Sequence, residues 1–491
     1  MEKLELLNFY NKWWLTDKVP QELYREFKRD IFTLIEYSIP YSYPSNRIIS
    51  IIGLRRTGKT TILYQLIQSL LDEKINPKRI LFLNISDPLI ANKPESLEEL
   101  LREYQKNVLR EDFSKLREPV YVFFDEIQYL PQWELYLKRF IDLKFKVKFI
   151  ITGSAGIKIN KKSKESLVGR LDEWRIYPLS FIEFIKFKNF QSKKDKNTVK
   201  VVDPVNFKFK VTGYGRLSSG ILRFLSLYQS YSSLGKKFLE KKTEIYGEQN
   251  FFQILLNEYV EKGGFPEIID QESVDLAYRY LNQDVLDRIL AQDITQIAQI
   301  RDPQLLQTLL IYSAQKTAST LSYDSLSKDT GARIETIRNY FLYLTSSFMV
   351  NIVNKFRKSE ISKFRSKKKI YLADLGLRNS ILKLDKRTIL SEQYKGVNAE
   401  TLVVNFLTSE RRELSFWQKD DYEVDVIVKD LNYIVPLEVK FRKDIKREDV
   451  QGLIKFSQLY KTGGGIVITE SKIDFQDNIV YIPLWLFLLI F

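Results

Sequence analysis

The stretch Ile48-Ile49-Ser50-Ile51-Ile52-Gly53-Leu54-Arg55-Arg56-Thr57-Gly58-Lys59-Thr60-Thr61 decides the fold. A β-branched apolar run enters a glycine-bounded loop. Lys-Thr follows, and then an amphipathic stretch from Ile62 to Leu71. This is strand, phosphate-binding loop and helix, at the spacing G-x-x-x-x-G-K-[ST]. Gly53 and Gly58 let the backbone turn tightly, so successive N–H groups face phosphate oxygens. The helix N-terminus behind them adds a positive dipole end. Lys59 is placed to reach the β- and γ-phosphates, and the Thr60 hydroxyl to ligate Mg²⁺. The expected nucleotide contacts are Gly53, Arg56, Thr57, Gly58, Lys59, Thr60 and Thr61, with ATP and Mg²⁺ as cofactors. A chance match is the alternative, and the flanking strand and helix count against it.

Composition sets outer limits. A chain of 491 residues holds several domains with large cores. Lys and Arg number 77 against 62 Asp and Glu, a net charge of +15. That surplus suggests an acidic partner, nucleic acid first, against a simply basic surface. With no Cys and no His, there is no disulfide framework, no Cys/His zinc site and no thiol nucleophile. Any metal sits on oxygen ligands, which favours Mg²⁺ or Mn²⁺. The N-terminus lacks a signal pattern. No apolar run approaches the length of a membrane span, and the apolar tail from Trp485 to Phe491 is too short. The expectation is a cytoplasmic protein without a membrane partner.

Further on, Val120-Tyr121-Val122-Phe123-Phe124-Asp125-Glu126-Ile127-Gln128 is an apolar strand ending in two acids. Asp125 can hold Mg²⁺, directly or through water, and Glu126 can polarise the attacking water. By themselves the two acids could equally cap the next helix. Val147 to Ser154 is another strand with a polar end, where ligands of open α/β sheets lie. Thr152 or Ser154 could sense the γ-phosphate there, or Ser154 could cap a helix.

Residues 1–185 resemble a family of AAA+-type ATPases common in archaea and bacteria. The matching pieces are Asn11-Lys12-Trp13-Trp14, the phosphate loop, Phe124 to Gln128, Trp133, Ile151 to Ser154, Leu167-Val168-Gly169-Arg170 and Pro178-Leu179-Ser180-Phe181-x-Glu183-Phe184. The resemblance implies Asp125 and Glu126 as Walker B, a sensor at Thr152 or Ser154, and Arg170 as an arginine finger. A finger acting in trans implies a homo-oligomer, such as a ring. The bland alternative for Arg170 is an ordinary structural arginine.

Residues 186–250 are expected as a Lys/Asn-rich insertion and 251–300 as a helical linker region. Gly263-Gly264-Phe265-Pro266-Glu267, with Asp284, Arg288 and Asp293, resembles the start of the region that usually follows this ATPase. Over 301–385, helix, Gly331 turn and a second helix with an Ile334, Ile337, Phe341, Leu344 stripe make a helix-turn-helix. Two strands around the basic run from Lys355 to Lys369 complete a winged helix. Arg333, Arg338, Lys367, Lys368 and Lys369 are the candidate DNA contacts, against a winged helix used only for packing.

Residues 390–491 carry a second constellation. Glu400 lies on an amphipathic helix. Asp425, in Glu423-Val424-Asp425-Val426, and the Glu438-Val439-Lys440 strand lie side by side on a hairpin, with Glu438 and Lys440 facing one way. Glu400, Asp425 and Glu438 are candidate Mg²⁺ or Mn²⁺ ligands. Lys440 can orient the attacking water or stabilise developing charge. The D-x₁₂-E-x-K pattern is similar to that of the PD-(D/E)xK nuclease superfamily. This sequence lacks the Pro before Asp425. A retained fold without cleavage, or an exposed Glu438–Lys440 pair, is the alternative. The expected fold is thus α/β: a P-loop NTPase (AAA+-like) domain, followed by an all-helical/winged-helix module and a C-terminal PD-(D/E)xK nuclease-like α/β domain. The expected function is an ATP-hydrolysing, DNA-binding protein with a metal-dependent nuclease domain. The competing expectation is an ATP-driven switch or scaffold whose nuclease-like fold binds DNA or protein without cleaving.

Overall fold

Five strands carry the nucleotide half of the chain: β1 (Ile48–Gly53), β2 (Ile80–Asn84), β3 (Val120–Asp125), β4 (Val147–Gly153) and β5 (Leu171–Ile176). In the computed structural model they form one parallel sheet in the order β2-β3-β4-β1-β5. The described residues are 2–40, 47–154, 167, 169–191, 199–202, 209–212, 230–294, 300–357, 366–429 and 433–490. β1, β3 and β4 are buried along their whole length, Lys148 of β4 included. The chain divides into two units, Met1–Tyr177 with Ala291–Ile300, and Pro178–Leu290 with Arg301–Phe491.

In the first unit β2 is an edge strand, and an open edge offers unpaired backbone groups to other chains. The N-terminal segment covers it. After the helix Lys3–Tyr10, the Asn11 amide donates to the Phe82 carbonyl at 3.0 Å and accepts from the Phe82 N–H at 2.6 Å. One side chain thereby imitates a neighbouring strand. The indole N–H groups of Trp13 and Trp14 both donate to the Ile80 carbonyl, at 3.1 and 2.9 Å. The stretch Asn11-Lys12-Trp13-Trp14 is therefore an edge cover, with both indoles buried.

The second unit is built on a nine-stranded mixed sheet. A two-stranded antiparallel pair, β6 (Val199–Val202) and β7 (Phe209–Thr212), stands apart from it. The large sheet contains β8 (Ser319–Leu321), β9 (Val350–Lys355), β10 (Lys368–Leu372), β11 (Glu413–Lys419), β12 (Tyr422–Lys429), β13 (Ile434–Lys440), β14 (Gly465–Thr469), β15 (Asp474–Gln476) and β16 (Ile479–Pro483). Their order is β15-β16-β14-β13-β12-β11-β9-β10-β8. β13, β14 and β16 run parallel, and β11, β12 and β13 form an antiparallel meander. The helix Gln451–Tyr460 packs Leu453 and Phe456 onto Trp417, Val424, Ile427 and Val467.

Helices Pro303–Gln315, Tyr323–Thr330 and Ile334–Ser346 precede β9, with Gly331 turning at a φ of +70° between the last two. Of the predicted stripe, Ile337, Phe341 and Leu344 are buried and Ile334 is half-buried. The two strands expected as a wing, β9 and β10, pair with each other antiparallel. β9 pairs with β11 and β10 with β8, so both belong to the large sheet. Residues 301–385 and 390–491 therefore share one sheet. Four of the five β10 residues are buried in it.

The apolar tail is a helix, Leu484–Ile490, whose residues are all buried, and Trp485 stacks on Phe252 with ring centroids 4.9 Å apart. Among the described residues no helix is long and apolar enough to cross a membrane. Of the expected 186–250 insertion, the residues 192–198, 203–208 and 213–229 lie outside the described part, as do 358–365 of the basic run. Asn11→Ala should lower the unfolding free energy of the first unit by about 2–3 kcal/mol, because it orphans a buried N–H and a buried carbonyl on Phe82. Chemical denaturation checks this, and a change under about 0.5 kcal/mol would show that water replaces the amide.

Candidate functional site

The phosphate loop leaves the carboxyl end of β1, and its two glycines have different reasons. A Cβ on Gly53 would sit 2.1 Å from the Ile176 carbonyl oxygen, so the close passage of β5 demands glycine. Gly58 has open space around it but adopts a φ of +92°, which a side chain resists. Arg56 is also left-handed, at +62°. Thr57 donates to the Leu54 carbonyl at 2.8 Å, and Arg29 donates to the Thr57 carbonyl at 3.2 Å. Arg29 is thus a prop of the loop. Its signal is absent from the motif, because the arginine lies 28 residues upstream.

Lys59 is buried, and its ammonium donates to the carbonyls of Gly53 and Leu54, at 3.2 and 2.9 Å. Folded onto the loop, it brings a positive charge to the rim of the cradle. Thr60 and Thr61 begin the helix Lys59–Asp72. The Thr60 hydroxyl donates to Asp125 Oδ2 at 2.8 Å, and Thr152 donates to Asp125 Oδ1. The Glu126 N–H donates to the Thr152 hydroxyl at 3.0 Å, and Gln128 donates to the Glu126 carboxylate. Thr60, Asp125, Glu126 and Thr152 are thereby one connected set at the carboxyl ends of three adjacent strands. Burial, then the neighbouring Glu126 charge, pushes Asp125 up to about 6, against the hydrogen bonds from Thr152 and Thr60 and the Lys59 charge. A desolvated carboxylate beside a threonine hydroxyl is a donor pair suited to Mg²⁺. Ser154 is 1% exposed, and among the described residues its hydroxyl has no partner. An orphaned buried hydroxyl beside the phosphate loop fits a missing phosphate oxygen. These residues fit Mg·ATP.

Arg170 stands elsewhere. Its carbonyl accepts from the Ile48 N–H, at the amino end of β1, whereas the phosphate loop leaves the other end. With about 3.3 Å per strand residue, the two are roughly 20 Å apart. Its guanidinium pairs with Asp142 at 2.8 Å. Arg170 thus stands at the opposite end of β1 from the phosphate loop.

In the second unit the D-x₁₂-E-x-K residues do come together. The Val439 N–H donates to Asp425 Oδ2 at 2.9 Å, and the Asp425 N–H reaches Glu438 Oε2 at 3.4 Å. Lys440 pairs with Glu438 at 2.6 Å. Glu400, on the helix Glu392–Ser409, accepts from the Tyr371 hydroxyl at 2.7 Å and from Lys369 at 3.0 Å. Burial, then the Asp425 charge, pushes Glu400 up to about 7, and the same two causes raise Glu438 well above the usual carboxylate range.

Lys369 was expected at a DNA-facing surface, and the structure corrects that. It is 6% exposed and its ammonium lies 2.6 Å from Glu423, 3.0 Å from Glu400 and 3.6 Å from Asp425. Burial opposes its charge, but the three carboxylates raise its pKa well above the ordinary lysine value. The reason is strand alternation: Lys369 and Tyr371 share one face of β10, while Lys368 turns the other way. That alternation was the signal available in Lys369-Ile370-Tyr371. Lys367 and Arg333 are exposed, Lys368 half-buried, and exposed Arg338 lies over the Tyr323 ring at 5.4 Å. The donor types of the cluster suit an oxygen-seeking divalent cation, but their spacing does not. Among the described residues no three acidic side chains stand together so as to hold a metal ion.

Residues 45–185 match the family model described as an AAA domain. That part of the chain is an AAA-type ATPase domain of the P-loop class. Residues 253–388 and 395–487 match two domains of unknown function, DUF8612 and DUF4143. Among curated proteins the chain is similar to the uncharacterized protein MJ1544 of Methanocaldococcus jannaschii, 28% identical over 78% of this chain and 72% of that one. An uncharacterized protein of Haemophilus influenzae is 23% identical over 88% of this chain and 92% of its own length. Among solved structures, the Thermotoga maritima RuvB Holliday junction branch migration motor is 12% identical and covers 67% of this chain and 90% of its own, with a TM-score of 0.27. The C. elegans PCH-2 structure is 21% identical over 33% of this chain and 44% of that one, with a TM-score of 0.23. TM-scores of that size establish no common fold.

Lys59→Ala removes the one ammonium in the phosphate loop and should cut ATP turnover at least about a hundredfold. A coupled phosphate-release assay checks this. Turnover near the wild-type rate would place hydrolysis somewhere else.

Proposed function

We propose that this protein hydrolyses ATP at the phosphate loop and uses that turnover to process DNA at a PD-(D/E)xK nuclease-like site in its second unit. The observation that carries the first half is the connected set Thr60, Asp125, Glu126 and Thr152, with the orphaned Ser154 hydroxyl beside it. Thr60 and Asp125 would hold Mg²⁺, Lys59 and the loop N–H groups would bind phosphate oxygens, and Glu126 would take the proton of the attacking water. Ser154 or Thr152 would register the γ-phosphate. Arg170 could serve only a neighbouring copy, exchanging Asp142 for that copy's nucleotide, which makes the working form a homo-oligomer.

The second half is supported by Asp425, Glu438 and Lys440 sharing one hairpin, with Glu400 brought to it from the helix Glu392–Ser409. Lys440 is placed to stabilise charge developing on a phosphodiester. The helix-turn-helix with exposed Arg333 and Arg338, together with Lys367 and the chain's +15 charge, supplies the sequence-independent attraction to phosphates. The winged-helix-like module 301–385 and the nuclease-like region 390–491 would then form one DNA-engaging surface.

One observation favours a second reading, an ATP-driven switch that binds DNA or protein without cleaving. The acid cluster does not, as arranged, enclose a metal. The two readings separate in one experiment. Labelled single-stranded, duplex, flap and four-way-junction DNAs are incubated with Mg²⁺ or Mn²⁺, with and without ATP. The nuclease reading predicts cleavage that falls at least about a hundredfold in Lys440→Ala. DNA-stimulated ATP turnover without cleavage, unchanged by Lys440→Ala, would establish the switch.

A further inference from the structure

A cavity of about 250 Å³ lies in the second unit, lined by the helices Lys242–Lys262 and Glu392–Ser409 and by Phe441 and Glu470, which follow β13 and β14. A water takes roughly 30 Å³ in the liquid, so the space suits a small organic molecule. Its walls include Leu256, Ile389, Ala399 and Leu484, all buried. Two polar side chains share this apolar lining, and each holds an acceptor short of a donor. Gln253 donates from Nε2 to Asn257 Oδ1 at 3.0 Å. Its Oε1 is buried and, among the described residues, has no hydrogen-bond partner. A buried amide oxygen left in that state costs free energy, and such groups in folded proteins are normally paired. The second acceptor is the Glu470 carboxylate. It meets Lys395 at 3.5 Å, whereas Lys395 holds Glu392 more closely, at 2.8 Å. The Glu392 side chain is 82% exposed and that of Glu470 only 21%, so the carboxylate with less access to water has the looser partner.

We propose that this cavity binds a small organic amine, an apolar body of on the order of ten non-hydrogen atoms bearing one ammonium group. The body replaces water against the apolar walls. The ammonium donates to Glu470 and to Gln253 Oε1, bonds that its charge strengthens. An alkylammonium has three donors and no acceptor, which matches a site whose unmet groups are both acceptors. An anion is disfavoured, because Glu470 repels it and Lys395 already faces two carboxylates. A hydrocarbon would leave both polar groups unmet. Lys395 keeps Glu392 when the ligand takes Glu470. The site stands apart from the Asp425, Glu438 and Lys440 hairpin, and the proposal holds whether or not that hairpin cleaves DNA.

The test titrates the full chain with 4-fluorobenzylamine, followed by fluorine NMR and calorimetry. The neutral 4-fluorobenzyl alcohol and the anionic 4-fluorobenzoate run beside it as probes of the same body. Wild type should bind the amine saturably, and at least about tenfold more tightly than either comparator. Glu470→Gln and Gln253→Leu should each weaken the amine by about tenfold. Leu390→Trp puts a large ring on the half-buried Leu390 wall and should abolish binding. Glu470→Gln keeps the side chain's shape, so it carries the test if the larger changes do not fold. No saturable binding of the amine by wild type would overturn the site. Binding of equal strength in wild type and in folded Glu470→Gln would place the amine elsewhere and overturn it too. Alcohol or benzoate bound as tightly as the amine would overturn the ligand class.

Discussion

The nucleotide half of this protein depends on one buried carboxylate. Asp125 ends β3, accepts from Thr60 at the start of the helix after β1, and accepts from Thr152 near the end of β4. Three adjacent strands are thus tied at their carboxyl ends by a group whose pKa is raised by burial and by the Glu126 charge. The loop glycines, the Lys59 ammonium and the orphaned Ser154 hydroxyl are arranged around the same place. The N-terminal edge cover seals the far side of the sheet, so the ligand crevice is made by strand ends and not by open edges.

The second unit repeats the theme with a different solution. Its buried acids are met by lysines from within the chain. Glu438 and Lys440 are neighbours on one strand, and Lys369 bridges elements far apart in sequence. The charge balance therefore links β10, β12 and the helix Glu392–Ser409 in one ionic set.

Local spacing made the first site legible. Gly53 to Thr60 is one short loop, and Asp125-Glu126 closes an apolar strand, so the residues that meet there could be picked out from local spacing. The parallel sheet followed from continuous β-branched runs. Contacts across long separations were not legible. Asn11 meets Phe82 across 71 residues, and Lys369 meets Glu400 across 31. Lys369 looked like one of a basic surface run because composition ignores which face of a strand a residue occupies. Alternation with Tyr371 was the only local hint. Arg170 shows the converse: its motif was readable, but only the direction of β1 reveals that it stands at the opposite end of that strand from the phosphate loop.

The most direct test of the account is single-turnover ATP hydrolysis by Glu126→Gln. The substitution keeps the shape of the Asp125 set and removes only the proton acceptor. The account predicts that the variant holds Mg·ATP at wild-type stoichiometry while hydrolysis slows by about a hundredfold or more. Hydrolysis at the wild-type rate with ATP bound would contradict it.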